Sequence, residues 1–204
     1  MYTGLVQEIG VIASKSEREG VDGISVVTTR KFLAGLKVGS SIALNGICLS
    51  VTKINEQGFC ADVSAATAFV TNFKDSRVKD RVNLERSALA GGEVGGHLTA
   101  GHVDGTGWVT EIVPSGETMK LLITVPEEIF RYAFAKGFMA VNGASLTVAA
   151  IEVEDHTLQF NLIPETLRQT TFSSIKVGDS VNIEAEPTTR VVVDTLRRIM
   201  THPL

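Results

Sequence analysis

The chain repeats itself, and that repetition limits the folds open to it more than any other feature. "LNGICLSVTKI" (44–54) returns as "VNGASLTVAAI" (141–151), with Asn45 on Asn142 at an offset of 97. "TNFKDSRVKDRVNLE" (71–85) returns as "TTFSSIKVGDSVNIE" (170–184) at an offset of 99. The opening "GLVQEIGVI" lines up with "GHVDGTGWV", Gly4 on Gly101, again at 97. One such block is what chance gives among β-rich segments. Three in the same order, at nearly one spacing, mark a duplicated segment. Each copy has the length of a small domain. The expected boundaries are 1–97 and 98–187, with 188–204 left as a C-terminal piece.

Within a copy the pattern is β. "SIALNGICLSVTKI" is rich in Ile, Val and Leu with glycine breaks. "RVNLER" and "SVNIEAE" alternate apolar and polar residues, as half-buried strands do. "LKVGSS" and "IKVGDS" read as turns before strands. Short strands with frequent turns predict an all-β chain of small antiparallel barrels or sandwiches. Helical signals are few. "PEEIFRYAF" offers proline at a first turn with acids after it. The tail "TTRVVVDTLRRIM" puts Val192, Leu196 and Ile199 on one stripe of a helix. That stripe needs a partner, either its own barrel or copies of itself in an oligomer, and the second is favoured.

At 204 residues and 44% hydrophobic, the chain can bury a real core. A formal charge of −4 gives no electrostatic reason to expect nucleic acid or a membrane surface. No run of apolar residues is long enough to span a bilayer. "MYTGLVQEIG" has neither the basic start nor the apolar run of a targeting peptide. Two cysteines, Cys48 and Cys60, point to a reducing cytoplasm rather than a disulfide scaffold.

The segment richest in chemistry is "GGHLTAGHVDGTGW", with His97 and His102 five apart. Zinc pairs on helices want a spacing of three or four. An odd separation on a strand sends two side chains to opposite faces, so no metal is expected. A dinucleotide loop lacks its strand-turn-helix setting here. The glycines instead permit tight turns and close approach of a ligand. Cys48 reads either as a small buried hydrophobe or as a thiol in a pocket. Its counterpart in the other copy is Ser145, and both residues can touch a polar ligand. Cys60 has no such support and is read as packing. Lys136 is either a solvated charge or a contact at a strand mouth. Glu165, Thr166 and Arg168 form either a capping box or a binding loop.

These carriers together resemble one family, the riboflavin synthases, over nearly the whole chain. They are "MYTGLVQEIG", "ALNGICLSVT", "VNLERS", "GGHLTAGHVDGTG", "KGFMAVNGASLTV", "LIPETLRQTTF" and "VNIE". The resemblance implies two tandem six-stranded Greek-key barrels and a C-terminal α-helix used for oligomerisation. It implies homotrimers in which the N-barrel of one subunit faces the C-barrel of its neighbour. Each barrel would bind one 6,7-dimethyl-8-ribityllumazine, and the pair would dismutate by transfer of a four-carbon unit. It implies no metal or organic cofactor, no nucleic acid or membrane partner, and association with lumazine synthase. Carried over position by position, the N-barrel pocket uses Gly4, Leu5, Val6, Cys48, Leu49, Ser50, Asp62, Val63, Ser64, Ala65, Ala66, Thr67, Gly101, His102 and Val103. The C-barrel pocket uses Lys136, Ser145, Leu146, Thr147, Asn161, Leu162, Ile163, Pro164, Glu165 and Thr166. Cys48, Ser41, His97 and His102 are the candidates for proton transfer on the N-barrel side.

The chain departs from the family at three places. Tyr2 stands where members usually carry Phe, and its hydroxyl needs a partner if buried. Ala66 and Phe69 stand where the second copy keeps Glu165 and Arg168. Glu186 stands where many members have Asp. Relatives that bind lumazine or flavin without catalysis are the alternative reading, and the retained Cys48, His97 and His102 speak against it. A structural protein built of paired barrels is the third, and it predicts no ligand.

Overall fold

The computed structural model describes residues 1–201 and divides into two sets of six strands. The first comprises β1 (Glu8–Arg18), β2 (Val21–Val27), β3 (Ser41–Leu44), β4 (Ile47–Ile54), β5 (Gly58–Ser64) and β6 (Arg81–Arg86). The second comprises β7 (Gly105–Ser115), β8 (Thr118–Thr124), β9 (Phe138–Val141), β10 (Ala144–Glu152), β11 (Thr157–Leu162) and β12 (Ser180–Ala185). Each set closes into an antiparallel barrel, in the orders β1-β2-β5-β4-β3-β6 and β7-β8-β11-β10-β9-β12. In both, the chain passes from the second strand to the third and only later lays the fifth beside the second, a Greek-key crossing.

Alternation decides what each strand buries. In β4, Ile47, Leu49 and Val51 are buried while Ser50 and Thr52 are exposed. Phe59, Ala61 and Val63 of β5 and Ile42 and Leu44 of β3 join them in the first core. Leu146, Val148, Leu158, Phe160 and Leu162 do the same in the second. The strand registers shift between Ile12 and Ser14 and between Val51 and Lys53. They shift again at the repeat-equivalent places, Val109 to Glu111 and Val148 to Ala150. Such bulges bend strands, which a small barrel needs in order to close.

Four short α-helices and one longer one decorate the barrels among the described residues: α1 (Arg30–Leu33), α2 (Ala65–Val70), α3 (Glu127–Phe130), α4 (Pro164–Gln169) and the longer α5 (Pro187–Thr201). The proline-led segment at 126 gives only the single turn α3. α4 has no side-chain cap, so Glu165 builds no capping box; it bonds Arg168 and Gln169 at the surface instead. Glu186 caps α5 by accepting from the backbone N–H of Thr188 and Thr189, so the longer side chain still reaches them. Burial works against that carboxylate's charge, but these bonds outweigh it and hold its pKa below the usual range.

The barrels meet across a pseudo-two-fold axis made of asparagines. Asn83 Nδ2 donates to the carbonyl of Asn142, and Asn182 Nδ2 donates to the carbonyl of Asn45, both at 2.9 Å. Asn45 and Asn142 sit in left-handed turns with φ of 45° and 44°. After them Gly46 and Gly143 touch: a Cβ on Gly46 would stand 2.8 Å from the Gly143 nitrogen. No side chain fits between the barrels there.

Candidate functional site

A six-stranded barrel has no lumen to spare, because its inward side chains fill it. Polar groups on these strands therefore face out. In β3 and β4, Ser41 pairs with Ser50 and Ala43 with Cys48, so Ser41, Ser50 and Cys48 share the outer surface. Asp62 and Ser64 continue that surface on β5, and Thr67 follows on α2. The equivalent surface of the second barrel carries Ser145, Thr147, Asn161 and Thr166.

Each surface is walled by a segment from the other copy. The Cys48 N–H donates to the Gly101 carbonyl at 2.9 Å, and the Ser145 N–H donates to the Gly4 carbonyl at 2.8 Å. Val103 packs on the first core and Val6 on the second. Two buried carboxylates pin these crossing segments. Glu85 accepts from the N–H of Thr3 and of Gly4; Glu184 accepts from the N–H of Ala100 and of Gly101. Burial pushes both carboxyls above the usual range, and the backbone donors pull back against it.

The crossing also delivers a polar partner to each central residue. His97 Nδ1 lies 2.6 Å from the Ser145 hydroxyl, and its ring stacks on Phe138 with centroids 5.4 Å apart. Tyr2 donates its hydroxyl to Cys48 Sγ at 3.1 Å. His97 is 7% exposed, and its buried Nε2 meets no partner among the described residues. A dry imidazole of this kind resists protonation. Burial accordingly lowers the His97 pKa from 6.5, against a pull upward from Glu186. The unfolded chain then takes up the proton more readily, so the stabilisation is present above 6.5 and is lost as pH falls below it. We expect the thermal midpoint of the protein to drop relative to that of His97→Gln between about pH 7 and about pH 5. Glu85, Glu184 and Asp104, raised by burial, act in the opposite sense and remain in both proteins. Parallel pH curves for the two proteins would contradict this.

The structure divides the expected site residues between the two surfaces. Gly4, Leu5 and Val6 belong to the second barrel, against Ser145, not to the first. His97 likewise stands at the second surface, while His102 follows Gly101 to the first, so the two histidines part company. Leu49, Val63, Leu146 and Leu162 point into the cores and offer the pockets only their backbone. Ala65, Ala66, Ile163, Pro164 and Glu165 lie exposed on or beside α2 and α4. Lys136 is exposed in a left-handed turn, φ 69°, at the place where the first copy has Gly39. Asp62 bonds Arg18, and Asn161 accepts from Gln159.

Several important residues were not singled out from sequence: Glu85, Glu184, the four asparagines and Phe138. The signal was present in part. "NG" and "VN-x-E" recur in both copies, and a polar residue inside an apolar strand requires a buried partner.

Residues 3–87 and 100–186 each match the family model described as the lumazine binding domain. The riboflavin synthase of Escherichia coli (strain K12) is 39% identical over 201 residues, 98% of this chain and 93% of that protein. The riboflavin synthase of Chlamydia pneumoniae is 35% identical over 200 residues, 98% of this chain and 97% of that protein. Among solved structures, LumP complexed with riboflavin superposes with a TM-score of 0.83 at 25% identity. LumP complexed with 6,7-dimethyl-8-(1'-D-ribityl) lumazine gives 0.82 at 23%. Both cover 91% of this chain and 99% of LumP.

Proposed function

Because this chain belongs to the riboflavin synthase family, built of paired lumazine-binding domains, we propose that it dismutates two molecules of 6,7-dimethyl-8-ribityllumazine. The donor molecule gives a four-carbon unit to the acceptor. The products are riboflavin and 5-amino-6-ribitylamino-2,4-pyrimidinedione. One observation carries the proposal: two outer surfaces, equivalent by repetition, with Cys48 and Ser145 at the same position and a glycine of the other copy against each. A reaction between two like molecules wants two like cradles. Holding the rings face to face supplies much of the acceleration, because the encounter becomes intramolecular. His102, Cys48 and Ser41 at the first cradle, and His97 with Ser145 at the second, move the protons.

The cradles of one chain do not supply that stack at the axis between the barrels, which Gly46, Gly143 and the asparagines fill. In the proposed assembly the first cradle of one subunit meets the second cradle of a neighbour, in a homotrimer. α5 supports this: Val191, Val192, Leu196, Ile199 and Met200 are all exposed on it. Two free thiols fit a cytoplasmic setting, and association with lumazine synthase belongs to the same proposal.

Binding without turnover is the second reading, and the α2 segment favours it: Ala66 and Phe69 stand where the other copy keeps the Glu165 to Arg168 ion pair. One assay separates the two. Purified chain incubated anaerobically with the lumazine alone is expected to develop flavin absorbance. Tight binding with no flavin formed would establish the second reading instead.

A further inference from the structure

Tyr2 is fully buried, 0% exposed, although it is the second residue of the chain. Its backbone pairs with Thr99 in both directions, at 2.8 and 3.0 Å, which fixes it beneath the crossing segment. A Cβ on Gly101 would stand 2.9 Å from the Tyr2 ring and 2.6 Å from Cys48 Cβ, so ring, glycine and cysteine are in contact. Phenylalanine would fill that space equally well. The hydroxyl is the addition, and it lies 3.1 Å from Cys48 Sγ, with the Ser87 hydroxyl also against it. Ser87 in turn donates to the carbonyl of Ser41. Burial first, then the bond to Cys48, drive the phenol's pKa far above its ordinary value, so Tyr2 stays a neutral donor at any working pH.

We propose that Tyr2 is a positioning residue for Cys48, resting on the reading of the first cradle as a lumazine site. Cys48 has a half-buried side chain on the outer surface of β4. A free thiol rotates among three staggered positions. A sulfur that accepts from Tyr2 is held in one of them, and its own S–H is left to point toward the ligand. The second cradle reaches the same end by another route, with His97 against Ser145. The two partners are not repeat equivalents, since Tyr2 aligns with Thr99 and not with His97. Each cradle has thus acquired its own device for orienting its central polar group.

Tyr2→Phe isolates the hydroxyl while keeping the ring. We expect kcat to fall about fivefold, the equivalent of one hydrogen bond, with KM changed by less than about twofold. In a Cys48→Ala background the same change is expected to do nothing further, because the group it positions is gone. An equal fold-loss in that background would overturn the proposal, as would an unchanged kcat. A second readout does not need turnover. Carbamidomethylation of Cys48 by iodoacetamide, followed by peptide mass analysis with Cys60 as internal reference, is expected to slow about threefold in Tyr2→Phe, since the attacking thiolate loses the hydrogen bond that Tyr2 donates to it. An unchanged ratio of Cys48 to Cys60 modification would overturn the positioning role. If the unaltered chain forms no flavin, the catalytic reading fails, and the alkylation ratio alone decides the role of Tyr2.

Discussion

Alanine at Gly101 is expected to cost the protein about 3 kcal/mol of stability and at least nine-tenths of its turnover. Gly101 has φ of 79°, a left-handed conformation that costs a side-chain-bearing residue about 1 kcal/mol. The new methyl would also lie 2.6 Å from Cys48 Cβ and 3.0 Å from the Cys48 backbone nitrogen. Backbone cannot rotate away as a long side chain can, so the crossing segment must lift off β4. Lifting it breaks the bond from Cys48 N–H to the Gly101 carbonyl and the grip of Glu184 on the Gly101 N–H. It also moves His102 from the first cradle. Gly20→Ala is the control: φ is 76°, but nothing lies within 4 Å. Denaturant unfolding should separate the two variants by about 2 kcal/mol, the overpacking component alone. Equal losses would show that the close approach costs nothing and that the crossing segment is loosely held.

Removing everything after Pro187 is expected to give a folded monomer with under about a tenth of the activity, because the shared site proposed above would be lost while both barrels remain. α5 is not an independent appendage. Arg190 pairs with Asp104, whose side chain is 8% exposed, and the Tyr132 hydroxyl donates to Asp194 at 2.7 Å. Only Val193 packs partly on the second core, and no residue of α5 is buried. The helix is therefore aimed by polar contacts, with its apolar side exposed. Sedimentation shows the assembly state and the flavin assay the activity. Full turnover by a monodisperse monomer would rule out the shared site. Truncation takes Arg190 from Asp104 but leaves Arg131 near it, so a modest loss of stability is expected as well.

Repetition carried most of the fold. Two copies of one strand pattern predicted two small antiparallel barrels or sandwiches of one order; the family resemblance implied the barrels, and even the bulges fall at equivalent positions. The pairing of Cys48 with Ser145 was legible for the same reason. The strand period also held the information that Leu49, Val63, Leu146 and Leu162 face inward; a motif carried over as a continuous run conceals it. What no local pattern contained was the exchange of segments. Gly4 lies shortly before β1, and nothing in "TGLVQE" tells which barrel its carbonyl will meet. Glu85 and Glu184 hold the segments from their own copies, and the N–H groups of Ser145 and Cys48, far along the chain, donate to the glycine carbonyls from the other. His97 was misplaced for the same reason: its neighbours in sequence say it follows the first barrel, and only the crossing puts it beside Ser145.

Because the Gly4 carbonyl waits for Ser145 and the Cys48 N–H waits for Gly101, residues early in the first copy are among the last to find their place. The first barrel can pair its strands once β6 has emerged, yet its outer surface stays bare until Gly101 arrives. Tyr2 must stay uncommitted until Thr99 and Gly101 are made, and the Gly4 carbonyl until Ser145 opens β10. Contacts of such long reach close large loops at an entropic cost that is recovered late. Refolding from denaturant should therefore run in two stages, with secondary structure returning ahead of the burial of Tyr2.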